Sequence, residues 1–551
     1  MPPIHARAVP RVRPHELVDL EKLLAAYHHV RPDPSVSAQC VGFGASGHRG
    51  SSFDASFNEA HVWAISQAIC MYRHAHHIDG PLFLGIDTHA LSVPAFESAL
   101  EVLAANHVDV RIAQDGGYTP TPVVSHAILA YNRGRTSGVA DGIVMTPSRD
   151  SPADGGLKYN PPHGGPADAN VAAWIQTKAN ALLAGNLEGV ARIPYDQARR
   201  AATTREHDFV TSYVDDLASV LDFDAIRNAG IRIGVDPLGG AGVHYWPRIA
   251  DRYGLDLTVI SDVVDKQFGF MTLDRVVQIG MDVSFPYAMQ RLLAVKDQFD
   301  IAFACDADHG RHGIVCRTAG LLPPNHYLAV ATDYLFVTRT GWPAHAAVGK
   351  SVVTTALIDR VTARFDRRLY EVPVGFHWFV DGLHDGSLGF VGEESGGACF
   401  LRRDGSVWTT DKDGIVAGLL SAEISATGGD PDERYRGLVG ELGEPISTRV
   451  DVPATAEQRA VLGGLSHWQL SLTEIAGEPV LSAFDRAPGN DAPIGGIKAV
   501  TASGWFAALP SDSEDSYTIY GESFRDREDL RRVMREAQHA VDRALAVDAD
   551  A

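Results

Sequence analysis

The stretch MTPSRDSPADGGLKYNPP at 145–162 offers Ser148 as a phosphoryl carrier within a loop rich in Gly and Pro. A serine that moves phosphate needs an activator or proton acceptor, and Lys158 is a chemically suitable neighbour. The same residues would also suit a Pro-rich surface turn. A second loop, CDADHGRHG at 305–313, alternates Asp306 and Asp308 after the apolar strand IAFA. Such carboxylates suit a hard cation such as Mg²⁺, which takes oxygen ligands and often bridges to phosphate. His309 and His312 leave a transition metal as one alternative and a solvated acidic turn as another. In GEESGG at 392–397, Glu393 and Ser395 could bind vicinal sugar hydroxyls while glycines let the backbone approach, or form a charged turn. GHRGSS at 47–52 adds Arg49, whose fork of donors suits phosphate.

Loops of this kind need a scaffold, and the chain repeats one. Three segments run from an apolar strand through a small-residue turn and an amphipathic helix to a second apolar strand. The first is PLFLGIDTHALS, a helix over 96–105, and VDVRIA. The second is IRIGVDPLGG, a helix over 244–253, and LDLTVI, with a further strand IAFACDAD. The third is AAVGKSVV, a helix over 357–365, and LYEVPVG. Each sets polar or Gly residues beyond a strand's carboxyl end, where open α/β sheets hold ligands. After about residue 440 the rhythm stops. VTASGWFAALP and SYTIYGESF read as two strands around a polar loop, closed by a terminal helix, so this part is α+β. The acidic, Gly-rich TGGDPDERYRG marks the boundary. The expected divisions are an N-terminal helical extension (1–40), α/β domains at 41–205, 206–325 and 326–440, and the α+β domain at 441–551.

A length of 551 residues suits several such domains, and 45% apolar with 21% charged residues suits a soluble globular protein. No apolar run approaches the ~18 residues of a membrane span. The formal charge of −21, with no segregated basic patch, excludes nucleic acid as the expected partner. Five scattered cysteines and no cleavable signal point to a reduced, cytoplasmic protein. Leu20, Leu23, Leu24 and Tyr27 fall at helical spacing and predict a packing helix or a homodimer element.

The order and spacing of the loops resemble the α-D-phosphohexomutase superfamily over nearly the whole chain, most of all its bacterial phosphoglucomutase branch. The resemblance rests on FGASGHRGSS, GYTPTPVVSHAI, DGGLKYNPPHGGPAD, DPLGG, RHGIV, EVPVGF, WFVDGL, GEESGGA and YTIYGESF. It implies mixed sheets flanked by helices in three similar α/β domains plus the C-terminal domain, around a central cleft. It also implies an enzyme moving a phosphoryl group between O1 and O6 of a hexose phosphate through phosphoserine Ser148, with glucose 1,6-bisphosphate as activator. Arg49 and Lys158 match its catalytic cations. Asp306, Asp308 and Ser148 match its Mg²⁺ ligands, with Arg311 on the same loop. Glu393 and Ser395 match its sugar ligands. His377 stands where that branch has a lysine, and Ser511 and Ser513 lie on its phosphate loop.

The departures fall on these loops. Arg149, Asp150 and an extra Ser151 follow Ser148 where the family reads His-Asn before Pro. Gly310 replaces a third aspartate, which predicts a weakened Mg²⁺ site unless His309 or water compensates. Ala45 replaces a threonine before Ser46. Leu509-Pro510-Ser511-Asp512-Ser513-Glu514 replaces Arg-Pro-Ser-Gly-Thr-Glu, removing an arginine and adding a carboxylate at an anion site. Two further readings accommodate these losses: a family member repurposed for another sugar substrate lacking a second phosphate, and a non-catalytic homologue that binds a sugar or a partner protein.

Overall fold

The computed structural model describes residues 12–44, 47–273, 279–470, 472–511 and 515–547. Ser513, with Asp512 and Glu514, and the pair Ala45 and Ser46 lie outside the described residues. Four larger sheets organise the rest.

The first sheet has seven strands, with Leu82–Ile86 parallel to both Asp141–Met145 and Val110–Ala113. Asp141–Met145 is buried at every residue, between helices Ser92–Ala105 and Thr121–Asn132. Its period-2 alternation sends Ile143 and Met145 into one apolar cluster and Val144 into another. Asp141 is tolerated in this strand because Arg73 pairs with it and the Tyr159 hydroxyl donates to it at 2.7 Å. The N-terminal helix Leu20–His29 buries Leu23 and Tyr27 in the same domain, so it is a packing element there.

The second sheet has five strands, centred on Ile301–Cys305, and the third has four, centred on Ala347–Ser351 and Leu388–Glu393. The expected helices are Ser92–Ala105, Tyr245–Tyr253 and Leu357–Arg364. One expectation changes: the stretch 427–437 is the end of one helix, a short turn at Gly429-Asp430 and the start of a second, packed helix rather than a boundary linker. Gly429, at φ 98, ends Gly414–Gly428, and Asp430 caps Pro431–Leu442 by accepting from the Asp432 amide at 2.7 Å.

Each α/β sheet builds its polar loop the same way. A strand that runs parallel to a neighbour turns back as an antiparallel partner, so the loop sits at the strand's carboxyl end. The closing pairs are Met145 with Leu157, Cys305 with His312 and Glu393 with Gly397. Each connection contains one left-handed residue: Ser148 (φ 62), His309 (φ 58) and Gly396 (φ 82). For the two non-glycine residues this conformation is costly, so the surroundings must hold it.

The C-terminal domain is a five-stranded antiparallel sheet packed by helix Arg527–Val547, with Ile446–Pro453 as an edge strand. The expected strands are Gly504–Pro510 and Ser516–Ser523. It meets the third domain through a buried charge cluster: Lys498 donates to Glu371 at 2.6 Å and to the Val352 carbonyl at 2.7 Å, and Lys350 pairs with Asp359 at 2.5 Å. Buried charges so arranged hold the interface because separating either partner would strand the other. All five cysteines are free, and among the described residues no helix is long and apolar enough to cross a membrane.

Candidate active site

Ser148 is 1% exposed and is braced from both sides. Before it, the Ser148 amide donates to Thr146 Oγ1 at 2.8 Å, and Thr146 Oγ1 donates to Asp87 Oδ2 at 2.6 Å. His89 Nδ1 lies 2.7 Å from the same carboxylate oxygen. After it, His89 Nε2 lies 3.3 Å from the Asp150 carbonyl, and Arg49 pairs with the Asp150 carboxylate at 3.1 Å. Burial works against charge on His89, but the adjacent Asp87 outweighs it and raises the imidazole pKa above its ordinary value. One buried Asp–His pair therefore fixes the residues flanking the serine and stabilises its left-handed backbone.

The second-domain hairpin supplies the opposing groups. Ser148 Oγ lies 2.9 Å from both Asp306 Oδ2 and Asp308 Oδ1, and Arg311 Nη1 donates to it at 2.9 Å. Asp308 Oδ2 accepts from Lys158 Nζ at 2.5 Å and Thr121 Oγ1 at 2.6 Å. Burial alone would raise both carboxyl pKa values. The charge and hydrogen bond of Lys158 hold Asp308 well below the usual range, whereas burial and the Asp308 charge push Asp306 up. Asp308 is thus the fixed anion, and Asp306 is the member that more readily takes a proton.

Two carboxylate oxygens and one hydroxyl oxygen converging on a point form a hard donor set suited to Mg²⁺ with waters and a phosphoryl oxygen. A phosphoryl dianion on Ser148 would face both carboxylates, so charge balance also favours a cation there. No group of three or more His, Cys, Asp or Glu side chains suited to a metal occurs among the described residues. Gly310 leaves room for the missing carboxylate: a Cβ there would stand 3.5 Å from Asp308 Oδ1, an ordinary contact. His309 does not compensate, because Trp246 Nε1 donates to its Nε2 at 3.3 Å and its ring packs against that tryptophan inside the second domain.

Arg311 and Arg149 face a cavity of about 430 Å³, whose far walls come from the third and C-terminal domains. This size suits a small organic ligand. Glu393 and Ser395 line it. Glu393 Oε1 accepts from the Gly375 amide at 3.1 Å, and its Oε2 lies 3.8 Å from Lys412 Nζ. Lys412 is buried, which lowers its pKa against the opposing charge of Glu393, and it sits over the Phe376 ring.

Two expected residues do not line the cavity. The His377 ring lies 4.6 Å from Trp378, and the cavity wall beside it is made by Gly375, Phe376 and Lys412. Ser511 lies at the Gly504–Pro510 to Ser516–Ser523 turn, where its carbonyl accepts from Arg459 Nη1 at 3.2 Å, and it does not line the cavity. Sequence reasoning missed Lys412, Thr121, Asp87 and His89. Thr121 falls in GYTPTP, which carried only the resemblance, and the Asp–His pair in GIDTHALS, read as scaffold, while Lys412 falls in a segment with no distinguishing spacing.

Comparison with known proteins accounts for this arrangement. Descriptions of phosphoglucomutase/phosphomannomutase alpha/beta/alpha domains I, II and III match residues 41–184, 211–320 and 323–441. A phosphoglucomutase of Komagataeibacter xylinus is 56% identical over 547 residues, covering 99% of each chain. The fold is similar to that of a putative phosphomannomutase from Thermus thermophilus, with a TM-score of 0.71 at 22% identity, covering 93% of this chain and 100% of that one. It is also similar to Paramecium pp63/parafusin, with a TM-score of 0.71 at 19% identity, covering 94% and 95%.

Proposed function

The chain belongs to the phosphoglucomutase/phosphomannomutase family, and from that premise we propose a phosphoglucomutase-like enzyme that interconverts glucose 1-phosphate and glucose 6-phosphate through phosphoserine Ser148. The observation that carries the catalytic assignment is the convergence of Asp306, Asp308 and Arg311 on Ser148 Oγ beside a cavity lined by Glu393 and Ser395.

In the proposed reaction, Glu393 and Ser395 accept the sugar hydroxyls and fix which oxygen faces Ser148. The bond from phosphorus to Ser148 Oγ breaks as the bond to a sugar oxygen forms, giving glucose 1,6-bisphosphate. The proton leaving the sugar hydroxyl passes by way of Lys158 to Ser148 Oγ, so charge and atoms balance. Asp308 holds Lys158 in place for that transfer. Arg311 donates to the oxygen that gains charge, in a buried site where such a donor is effective. Asp306 and Asp308 would hold Mg²⁺, which would supply charge neutralisation for the transferring group. The bisphosphate turns over and returns its other phosphoryl group to Ser148. The free cysteines fit a cytoplasmic setting for this chemistry.

The test is to treat the protein with glucose 1,6-bisphosphate and Mg²⁺, then read Ser148 by peptide mass analysis and glucose 6-phosphate formation from glucose 1-phosphate. Phosphoryl transfer to Ser148 with turnover is expected. An unmodified Ser148 and no product would end this reading.

A further inference from the structure

The cavity wall supplied by the C-terminal domain contains an arginine with no role so far. Arg449 is exposed on the edge strand Ile446–Pro453 and pairs in register with Tyr520. Both line the cavity. Three other cations line it, and each has an internal counter-ion: Arg149 pairs with Asp282, Arg311 with Asp306 and Lys412 with Glu393. Arg449 has no carboxylate or hydrogen-bond partner among the described residues. Its guanidinium lies 5.6 Å from the centre of the Phe285 ring. That contact is a cation–π approach, which leaves the guanidinium N–H donors unused. In a chain of net charge −21, a cation facing a ligand cavity without a carboxylate is poised for an anion brought by the ligand.

Where the family carries its phosphate loop, the described residues Leu509 and Ser511 are engaged elsewhere. Leu509 packs into the apolar cluster around Trp505 and Ile494, and Ser511 is engaged by Arg459. Arg449 opposite Tyr520 is four register pairs from Pro453 opposite Ser516, roughly 13 Å along the strand. The charges of Arg449 and Arg149 both bear on the Tyr520 phenol, whose pKa burial and Glu394 raise to about 12, so at neutral pH it remains a donor beside the two arginines.

Building on the mutase reading, we propose that Arg449, with the Tyr520 hydroxyl beside it, binds the phosphate that is not being transferred. A phosphate monoester dianion can take two parallel N–H donors from one guanidinium, giving both energy and orientation. Serving from a mid-strand position, Arg449 would hold either phosphate of the turning bisphosphate while the other faces Ser148.

The experiment is isothermal titration of the full-length protein with glucose 6-phosphate and with glucose, comparing wild type, Arg449→Met, Arg449→Lys and Ser511→Ala. Loss of a charge-assisted pair predicts that Arg449→Met weakens glucose 6-phosphate binding about 10–100-fold. Arg449→Lys should recover part of the loss, glucose binding should stay the same in all four proteins, and Ser511→Ala should stay near wild type. Arg449→Met binding glucose 6-phosphate as wild type does, or Ser511→Ala losing more than Arg449→Met, would overturn the proposal. So would wild type binding glucose 6-phosphate no better than glucose. Phosphorylation of wild-type Ser148 by glucose 1,6-bisphosphate, measured alongside, separates the outcomes: if it occurs while Arg449→Met binds normally, the mutase reading stands and only the role of Arg449 falls.

Discussion

Around Ser148 the polar groups are buried and bonded to one another, whereas the cavity wall of the C-terminal domain presents Ser447, Thr448 and Arg449 exposed on an edge strand. The serine end draws on two domains and fixes each charge with a partner before any ligand arrives. The far wall leaves its arginine without one. Bond making gains from groups that need not reorganise, so a preorganised serine end favours the chemical step. An intermediate that must let go, turn and bind again is better served by a wall whose contacts form only with the ligand.

The strongest challenge to this contrast is to remove the group at its centre. Ser148→Ala should lower mutase activity on the order of 10⁴-fold or more in a coupled assay from glucose 1-phosphate. Activity within tenfold of wild type would place the chemistry elsewhere. Next in size is Asp308→Asn, which removes the charge opposite buried Lys158. It should cost about 3–5 kcal/mol in denaturant unfolding and about 10²–10³-fold in kcat. Thr448→Ala on the exposed wall should stay within about 0.5 kcal/mol of wild type. Equal costs at the two positions would erase the contrast.

A smaller effect tests the brace behind the serine. His89→Gln removes the imidazole that links Asp87 to the Asp150 carbonyl, so kcat should fall about 10–100-fold while KM changes less than about twofold. A KM rise with unchanged kcat would mean that the pair serves binding rather than placement of Ser148. The smallest change is Gly310→Asp, which fits sterically beside Asp308. Restoring a third carboxylate should tighten the Mg²⁺ requirement about tenfold, read as the half-activating Mg²⁺ concentration and by direct titration. No shift would show that two carboxylates and the phosphoryl oxygen already suffice.

Much of this molecule was legible in its residue order. Alternation in DGIVM, the strand IAFA before CDADHG and the glycines of GEESGG marked the three strands and their loops, because each signal is contained within one strand and its turn. Two readings failed for reasons of context. TGGDPDERYRG has the composition of a linker, but a left-handed glycine and a capping aspartate make it a helix–helix turn. His309 looked available to a metal, but Trp246, 63 residues earlier, draws its ring into the second domain. Asp87 and His89 were visible in GIDTHALS, yet nothing local shows that they reach both sides of a loop about 60 residues later.

Residue order alone settled the α/β repeat and where the loops after the strands at 141–145, 301–305 and 388–393 fall. Periodicity and turn chemistry act over a few residues and leave their mark in the order of the chain. What those loops do to one another came from the packed fold. Ser148 meets Asp308 across 160 residues of chain and Lys158 meets it across 150, while Arg449 owes its open guanidinium to the absence of any carboxylate folded beside it among the described residues. Charge balance and burial depend on neighbours brought together by packing, so they could be read only once the domains had closed around the cavity.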